Sequence, residues 1–291
     1  MDRAMTKRSG SGSGPIPILM YHSVDPHAAP DYARWAVPPE VFRRQMQIIA
    51  DEGYRPVTLS QLAQEMDRAA VREKLVCITF DDGLMDFVTG AMPVLADFGF
   101  VANLFVATGY VGTTARWLGP LGEGARPMMG WSELREVAGA GIECGGHSVS
   151  HRELDTLGEA EARDEIFGSV RALEDRLGRA VTTFAYPFGY ASATTRALVR
   201  AAGVVAACRV THGLATAGED RYGLSRIIAT ADIPDARFGD FLAGRRLPVA
   251  PVQRSAKRRV WRAWRTARHR LTGDDRAARA VLRASRQGPG G

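Results

Sequence analysis

From residue 15 to about residue 250 the chain alternates between two hydrophobic rhythms. Short apolar runs bounded by Gly, Pro or Asp read as strands: 16–21, 75–80, 102–107, 142–144, 182–185, 204–208 and 224–228. Between them, apolar residues recur every three or four positions, the period of a helix with one buried face. Phe42, Met46 and Ile49 make such a stripe before Gly53. Ile166, Val170, Leu173 and Leu177 make another, with Gly178 as its stop. Thr58-x-x-Gln61 and Thr156-x-x-Glu159 have capping-box spacing and mark two helix starts. Strand–helix alternation of this kind predicts mostly parallel strands, hence an α/β sheet or barrel. In such folds the chemistry lies at the carboxyl ends of the strands.

Length and composition allow one large domain or two small ones. The 291 residues are 45% hydrophobic and 24% charged, ordinary values for a globular chain that needs no disulfides. Cys77, Cys144 and Cys208 are odd in number, lack Cys-x-x-Cys spacing and sit in apolar runs, so they read as buried reduced thiols. The net charge of +6 is unevenly placed. Residues 251–291 hold 12 Lys and Arg against 2 Asp, while the rest holds 26 basic against 30 acidic side chains. The body is therefore mildly acidic, which argues against a nucleic-acid-binding domain.

The expected organisation is a polar, Gly- and Ser-rich flexible lead (1–14), one domain (15–250) and a basic, partly helical tail (251–291). No run approaches the roughly 20 apolar residues of a membrane span. No apolar segment of signal-peptide length follows the lead, so the expected location is the cytoplasm. In the tail, Val260, Trp261, Trp264, Ala267 and Leu271 approximate one helical face among many arginines. That pattern suits peripheral contact with the inner face of an anionic membrane. A helix docked on the domain and a solvated tail are the alternatives, and liposome sedimentation separates them.

Three segments bring ligand-capable residues to the end of a strand run. In Ile78-Thr79-Phe80-Asp81-Asp82-Gly83 two adjacent acids follow the strand. Adjacent carboxylates repel unless a positive group lies beside them, although Asp-Gly is also a common turn pair. In Gly145-Gly146-His147-Ser148-Val149-Ser150-His151, two of the six histidines stand at i,i+4. On a helical turn that spacing points both imidazoles the same way, and imidazole nitrogen suits zinc-like cations. Two loop histidines are the plainer reading. Phe184-Ala185-Tyr186-Pro187-Phe188-Gly189 ends a strand with a Pro and a Gly that shape a turn able to aim a backbone N–H. Taken together, one Asp and two His leave open positions on a metal ion, and the second Asp is free to act as base.

TFDDG, HSVSH and AYPFG, in that order, resemble the first three motifs of the NodB-type polysaccharide deacetylases, a carbohydrate esterase family. Leu19-Met20-Tyr21-His22-Ser23-Val24, and Trp131 ahead of Gly141-Ile142-Glu143, fit the same pattern, so the resemblance covers roughly 15–240. The Leu-Met-Tyr-His start resembles a circularly permuted branch, in which the histidine found late in other members comes first. The resemblance implies a distorted (β/α) barrel of about seven strands. It implies that Asp82, His147 and His151 bind a divalent metal, usually zinc, and that Asp81 is the general base. His22 would be the general acid and the Phe188 backbone N–H an oxyanion donor. Removal of N-acetyl groups from a sugar, glycan or lipid-linked glycan intermediate is the implied activity, with O-deacetylation or another non-peptide amide hydrolysis as the alternative. Trp131, Tyr186 and Pro187 are the implied sugar-binding residues. One departure stands out: many members carry an Arg, bracing the base, where this chain has Ala185.

Two further features complete the reading. Tyr110, Trp117 and the Gly-rich stretch 119–130 read as a long loop above the barrel, of the length that often serves a site. His212 reads as a loop residue, because His22 fills the acid role better.

Overall fold

The computed structural model describes residues 14–67, 73–216, 218–247, 264, 265 and 267. Its strands are β1 (Ile18–Tyr21), β2 (Arg55–Pro56), β3 (Leu75–Phe80), β4 (Asn103–Val106), β5 (Glu143–Gly146), β6 (Thr183–Ala185), β7 (Ala206–Cys208) and β8 (Ile227–Ile228). All pair in parallel, in the order β7-β6-β5-β4-β3-β1-β8, with β2 added to the start of β3. The sheet curls into a half-barrel of seven strands. Leu224, just ahead of β8, bridges Cys208 of β7, so its two edges approach each other.

Among the described residues the helices α1 (Pro39–Asp51), α2 (Leu59–Asp67), α3 (Met92–Phe98), α4 (Trp131–Gly139), α5 (Glu159–Leu177), α6 (Ala193–Ala201) and α7 (Asp235–Leu242) follow the strands. The strand residues divide by the two-residue period of the pleat. Leu19, Ile78, Leu104, Phe184 and Ala207 pack outward with Met46, Val94, Ile166 and Leu173 of the helices. Ile18, Cys77, Phe105, Ala185 and Cys208 face inward, where Leu59 and Leu62 of α2 join them. Both faces of β3 are therefore covered, which is why all six of its residues could be apolar or small. The three cysteines are free and buried, and burial pushes the thiols of Cys144 and Cys208 up to about 12.

The expected strand runs become strands: 75–80 keeps its bounds, 142–144 shifts to Glu143–Gly146, and the others are shortened by one to three residues at one or both ends. The Thr58 box forms: the Thr58 amide donates to Gln61 Oε1 at 2.9 Å, and Gln61 N–H points back to Thr58 Oγ1 at 3.4 Å. The Thr156 box does not. Thr156 lies in a single turn (Leu154–Thr156), where its hydroxyl donates to the Glu153 carbonyl at 2.7 Å, and α5 starts at Glu159 behind an extended Gly158. The hydroxyl has a nearer acceptor than the helix offers.

Of the tail, three residues are described. Trp264 is 50% exposed, whereas Arg265 is 3% exposed. Arg265 donates to both Asp155 oxygens at 2.9 and 2.8 Å and to Glu153 at 3.0 Å, and it stacks 3.6 Å over the Tyr190 ring. The arginine, not the tryptophan, is what this part of the tail buries. The lead up to residue 13 and the rest of the tail lie outside the described residues. Among the described residues no helix is long and apolar enough to cross a membrane.

Candidate active site

β3 delivers the two acids. Asp81 and Asp82 are 3% and 2% exposed, and Asp82 turns the chain with φ 79°. Asp81 is gripped by Arg226, which is fully buried just ahead of β8. The guanidinium donates to Oδ1 at 2.6 Å and to Oδ2 at 2.7 Å, a two-pronged contact. Its other protons go to Thr79 Oγ1 at 3.2 Å and the Arg209 carbonyl at 3.0 Å. Burial works to raise the Asp81 pKa. Arg226, with His147 and His22, overrides that and holds the carboxyl below its usual value. Arg226, from the segment ahead of β8, thus gives Asp81 a guanidinium partner where residue 185, an alanine, cannot.

β5 delivers the histidines. It can pass between two rings because it ends in Gly145 and Gly146: a Cβ would come within 2.7 Å of Phe105 at the first and 2.8 Å of Phe184 at the second. The His147–His151 segment is not the helical turn its spacing suggests. It is a loop in which Ser148 (φ 62°) and His151 (φ 52°) adopt left-handed backbone. Glu165 of α5 holds it, accepting from the Val149 and Ser150 amides at 2.9 and 2.8 Å and from the Ser150 hydroxyl. Asp82, Ser148, His151 and Phe188 are four of the six described non-glycine residues with positive φ. Strain of this kind gathers at functional sites. Glu165→Gln removes the charge that both amides point at, and is expected to lower the unfolding free energy by about 1–3 kcal/mol in urea titrations.

The donor atoms of Asp82, His147 and His151 all lie within 4.8 Å of one another. Asp82 Oδ1 is 3.2 Å from His151 Nε2 and 3.5 Å from His147 Nε2. His147 Nδ1 lies 2.7 Å from the Ala185 carbonyl, which can only accept, so Nδ1 carries the hydrogen and Nε2 of the neutral ring is a lone pair. That lone pair faces a buried carboxylate oxygen which itself lacks a donor. Two imidazoles and a carboxylate converging in this way, one ring oriented by a backbone carbonyl, fit a divalent cation of the zinc type.

The other expected residues divide. His22 follows β1, its Nδ1 buried without a partner and its ring 5.0 Å from Trp35. Phe188 (φ 57°) is 51% exposed, and its ring meets that of His151 at 4.8 Å. Trp117 stacks on the His151 ring, with 4.6 Å between centroids. The Tyr186 side chain is fully buried, and its hydroxyl donates to the Tyr222 carbonyl at 2.9 Å. Pro187 is also buried. Trp131 opens α4 half-buried, with the Arg176 guanidinium of α5 at 5.7 Å, on a helix–helix seam. Sequence reasoning missed Arg226 and Glu165. A charged residue inside the apolar run 224–228, and another beside Ile166 on a core-facing stripe, were the available signals.

Fold and cluster define a (β/α)-barrel protein with a carboxylate–imidazole centre at the carboxyl ends of β3 and β5. The polysaccharide deacetylase family model matches residues 68–207, the span that carries Asp81, His147 and Phe188. The chain is 25% identical over 228 residues to the putative polysaccharide deacetylase YxkH of Bacillus subtilis, covering 78% of this chain and 76% of that protein. It is 30% identical over 125 residues to the poly-beta-1,6-N-acetyl-D-glucosamine N-deacetylase of Escherichia coli, covering 41% of this chain and 18% of that longer protein. Its fold is similar to that of the Streptococcus pyogenes deacetylase PplD in complex with acetate: TM-score 0.69, 24% identity, 79% of this chain and 98% of that one. The matched span, the relatives and the fold make this chain similar to the polysaccharide deacetylases.

Proposed function

We propose that the chain hydrolyses the N-acetyl group of an N-acetylated sugar or glycan with the help of a divalent metal, zinc in our reading. The observation that carries this is a carboxylate kept ionised by a buried arginine, Asp81 on Arg226, beside a three-residue set that fits a metal. Asp82, His147 and His151 would hold the ion. When bound there, it polarises the acetyl carbonyl and makes water more acidic.

The chain's own groups do the rest. Asp81 takes a proton from the attacking water as its oxygen bonds to the acetyl carbon. The Phe188 N–H donates to the developing oxyanion. His22 gives a proton to the amine nitrogen as the C–N bond breaks, because an unprotonated amine leaves poorly. Acetate and the free amino sugar result. The Escherichia coli relative's N-acetylglucosamine polymer suggests the sugar class.

Acetate release from N-acetylglucosamine oligomers tests this, with chelated protein and protein given Zn²⁺ or Co²⁺. Release that depends on the added metal is expected. Release only from O-acetyl sugars would replace the reading with ester hydrolysis, and neither release nor bound metal would overturn it.

A further inference from the structure

A cavity of about 390 Å³ is lined by Arg34, His212, Thr230, Asp232, Arg237 and Phe241 among others. Chain neighbours and backbone hydrogen bonds link its lining to the candidate acid. Arg34 precedes Trp35, whose ring lies 5.0 Å from His22. The Ala231 amide donates to the Arg34 carbonyl at 3.0 Å, and the Ala229 amide to the carbonyl of Met20, two residues before His22, also at 3.0 Å.

Most of the polar groups lining the cavity are donors, and the charges of Arg34 and Arg237 reach Asp232 and Asp240, whose carboxyl pKa values they help to lower. Among the described residues neither Arg34 nor Arg237 makes an ion pair; each lies near a ring, Trp35 at 5.1 Å and Phe241 at 5.4 Å. His212 Nδ1 accepts the Ile228 amide at 3.2 Å, so the neutral ring carries its hydrogen on Nε2 and offers a donor. Burial, then the charges of Arg237 and Arg34, hold His212 below its usual pKa, so both guanidinia are close. The one lining carboxylate, Asp232, already accepts the Thr230 hydroxyl at 2.6 Å. Nearby Asp235 faces Arg44 at 3.3 Å, and Asp240 faces Arg245 at 2.8 Å. Pro234, the uncapped start of α7, also lines the cavity, which adds the positive end of a helix.

We propose that this cavity binds a phosphate group carried by the substrate, so that the sugar presented to Asp81 and His22 is a phosphate-linked one. Donors on separate walls suit a tetrahedral oxyanion, whereas a planar carboxylate is satisfied by one arginine fork. The proposal rests on the deacetylase reading and names its substrate class.

The test uses Arg34→Gln/Arg237→Gln, two exposed positions where substitution leaves the fold intact. Calorimetric titration with glucose 1-phosphate, which has no acetyl group, is expected to show binding to the parent protein and to Asp81→Asn. The double variant is expected to bind it about ten- to a hundredfold more weakly. In turnover, N-acetylglucosamine 1-phosphate is expected to show a lower KM than the methyl glycoside. That advantage disappears in the double variant while kcat is kept. Equal affinity of parent and double variant for glucose 1-phosphate overturns the proposal. So does inorganic phosphate that binds as tightly and alters turnover of the methyl glycoside, which would make the cavity an effector site. Sugar-phosphate binding that is lost in the double variant, with no acetate from any substrate, would support the cavity and remove the deacetylase reading instead.

Discussion

Asp81→Asn is expected to lower kcat by about 10²–10⁴-fold while metal content stays at the parent level. Asparagine keeps the size of the side chain but cannot take a proton from water. The candidate ligands Asp82, His147 and His151 are untouched, so loss of turnover with metal retained separates base from ligand. The substitution also leaves Arg226 buried against a neutral amide, so stability is expected to fall as well. Metal analysis and acetate release on the same preparation check both parts. Turnover within threefold of the parent would remove Asp81 from the role.

Arg226→Met is expected to cost about 3–5 kcal/mol of folding free energy, read from urea unfolding. It leaves a 3% exposed carboxylate without its two-pronged partner, next to a second acid. Methionine fills much of the volume, so the loss reports charge more than cavity. The combined Asp81→Asn/Arg226→Met chain separates the two effects. It has neither the orphaned carboxylate nor the orphaned guanidinium, and is expected to regain part of the stability while remaining inactive. Unfolding midpoints that match the parent for Arg226→Met alone would show that the pair is not formed as described.

These experiments turn on a residue that the motifs did not disclose, and the reason is physical. Runs such as Leu75–Phe80 were legible because burial on both faces forces a continuous apolar sequence. Asp82, His147 and His151 were legible because each follows such a run, and strand ends converge in a barrel. Arg226 was not, because an ion pair leaves no period in sequence; its only trace was a charge in an apolar run. The His147–His151 spacing suggested a helix, but left-handed residues at both Ser148 and His151 achieve the convergence in a loop. The burial of Tyr186 was not legible, because its motif gives no sign that its side chain continues the helix-facing side of β6, beside Phe184, with its hydroxyl on the Tyr222 carbonyl. Residue type identified the chemistry; which way each side chain faces depended on turns that spacing does not encode.

The distance along the chain between Asp81 and Arg226, 145 residues, also orders how the protein is made. Synthesis runs from the amino end, so β1, β3 and β4 are available to pair long before the segment ahead of β8 emerges. Until then the nascent sheet carries two neighbouring carboxylates with no counter-charge, and their repulsion opposes burial at that end of β3. The arriving arginine relieves this at the same moment that Leu224 ties the sheet's two edges together. Completion of the barrel and readiness of the base are therefore one event in the life of the chain, and a chain stopped short of β8 would lack both.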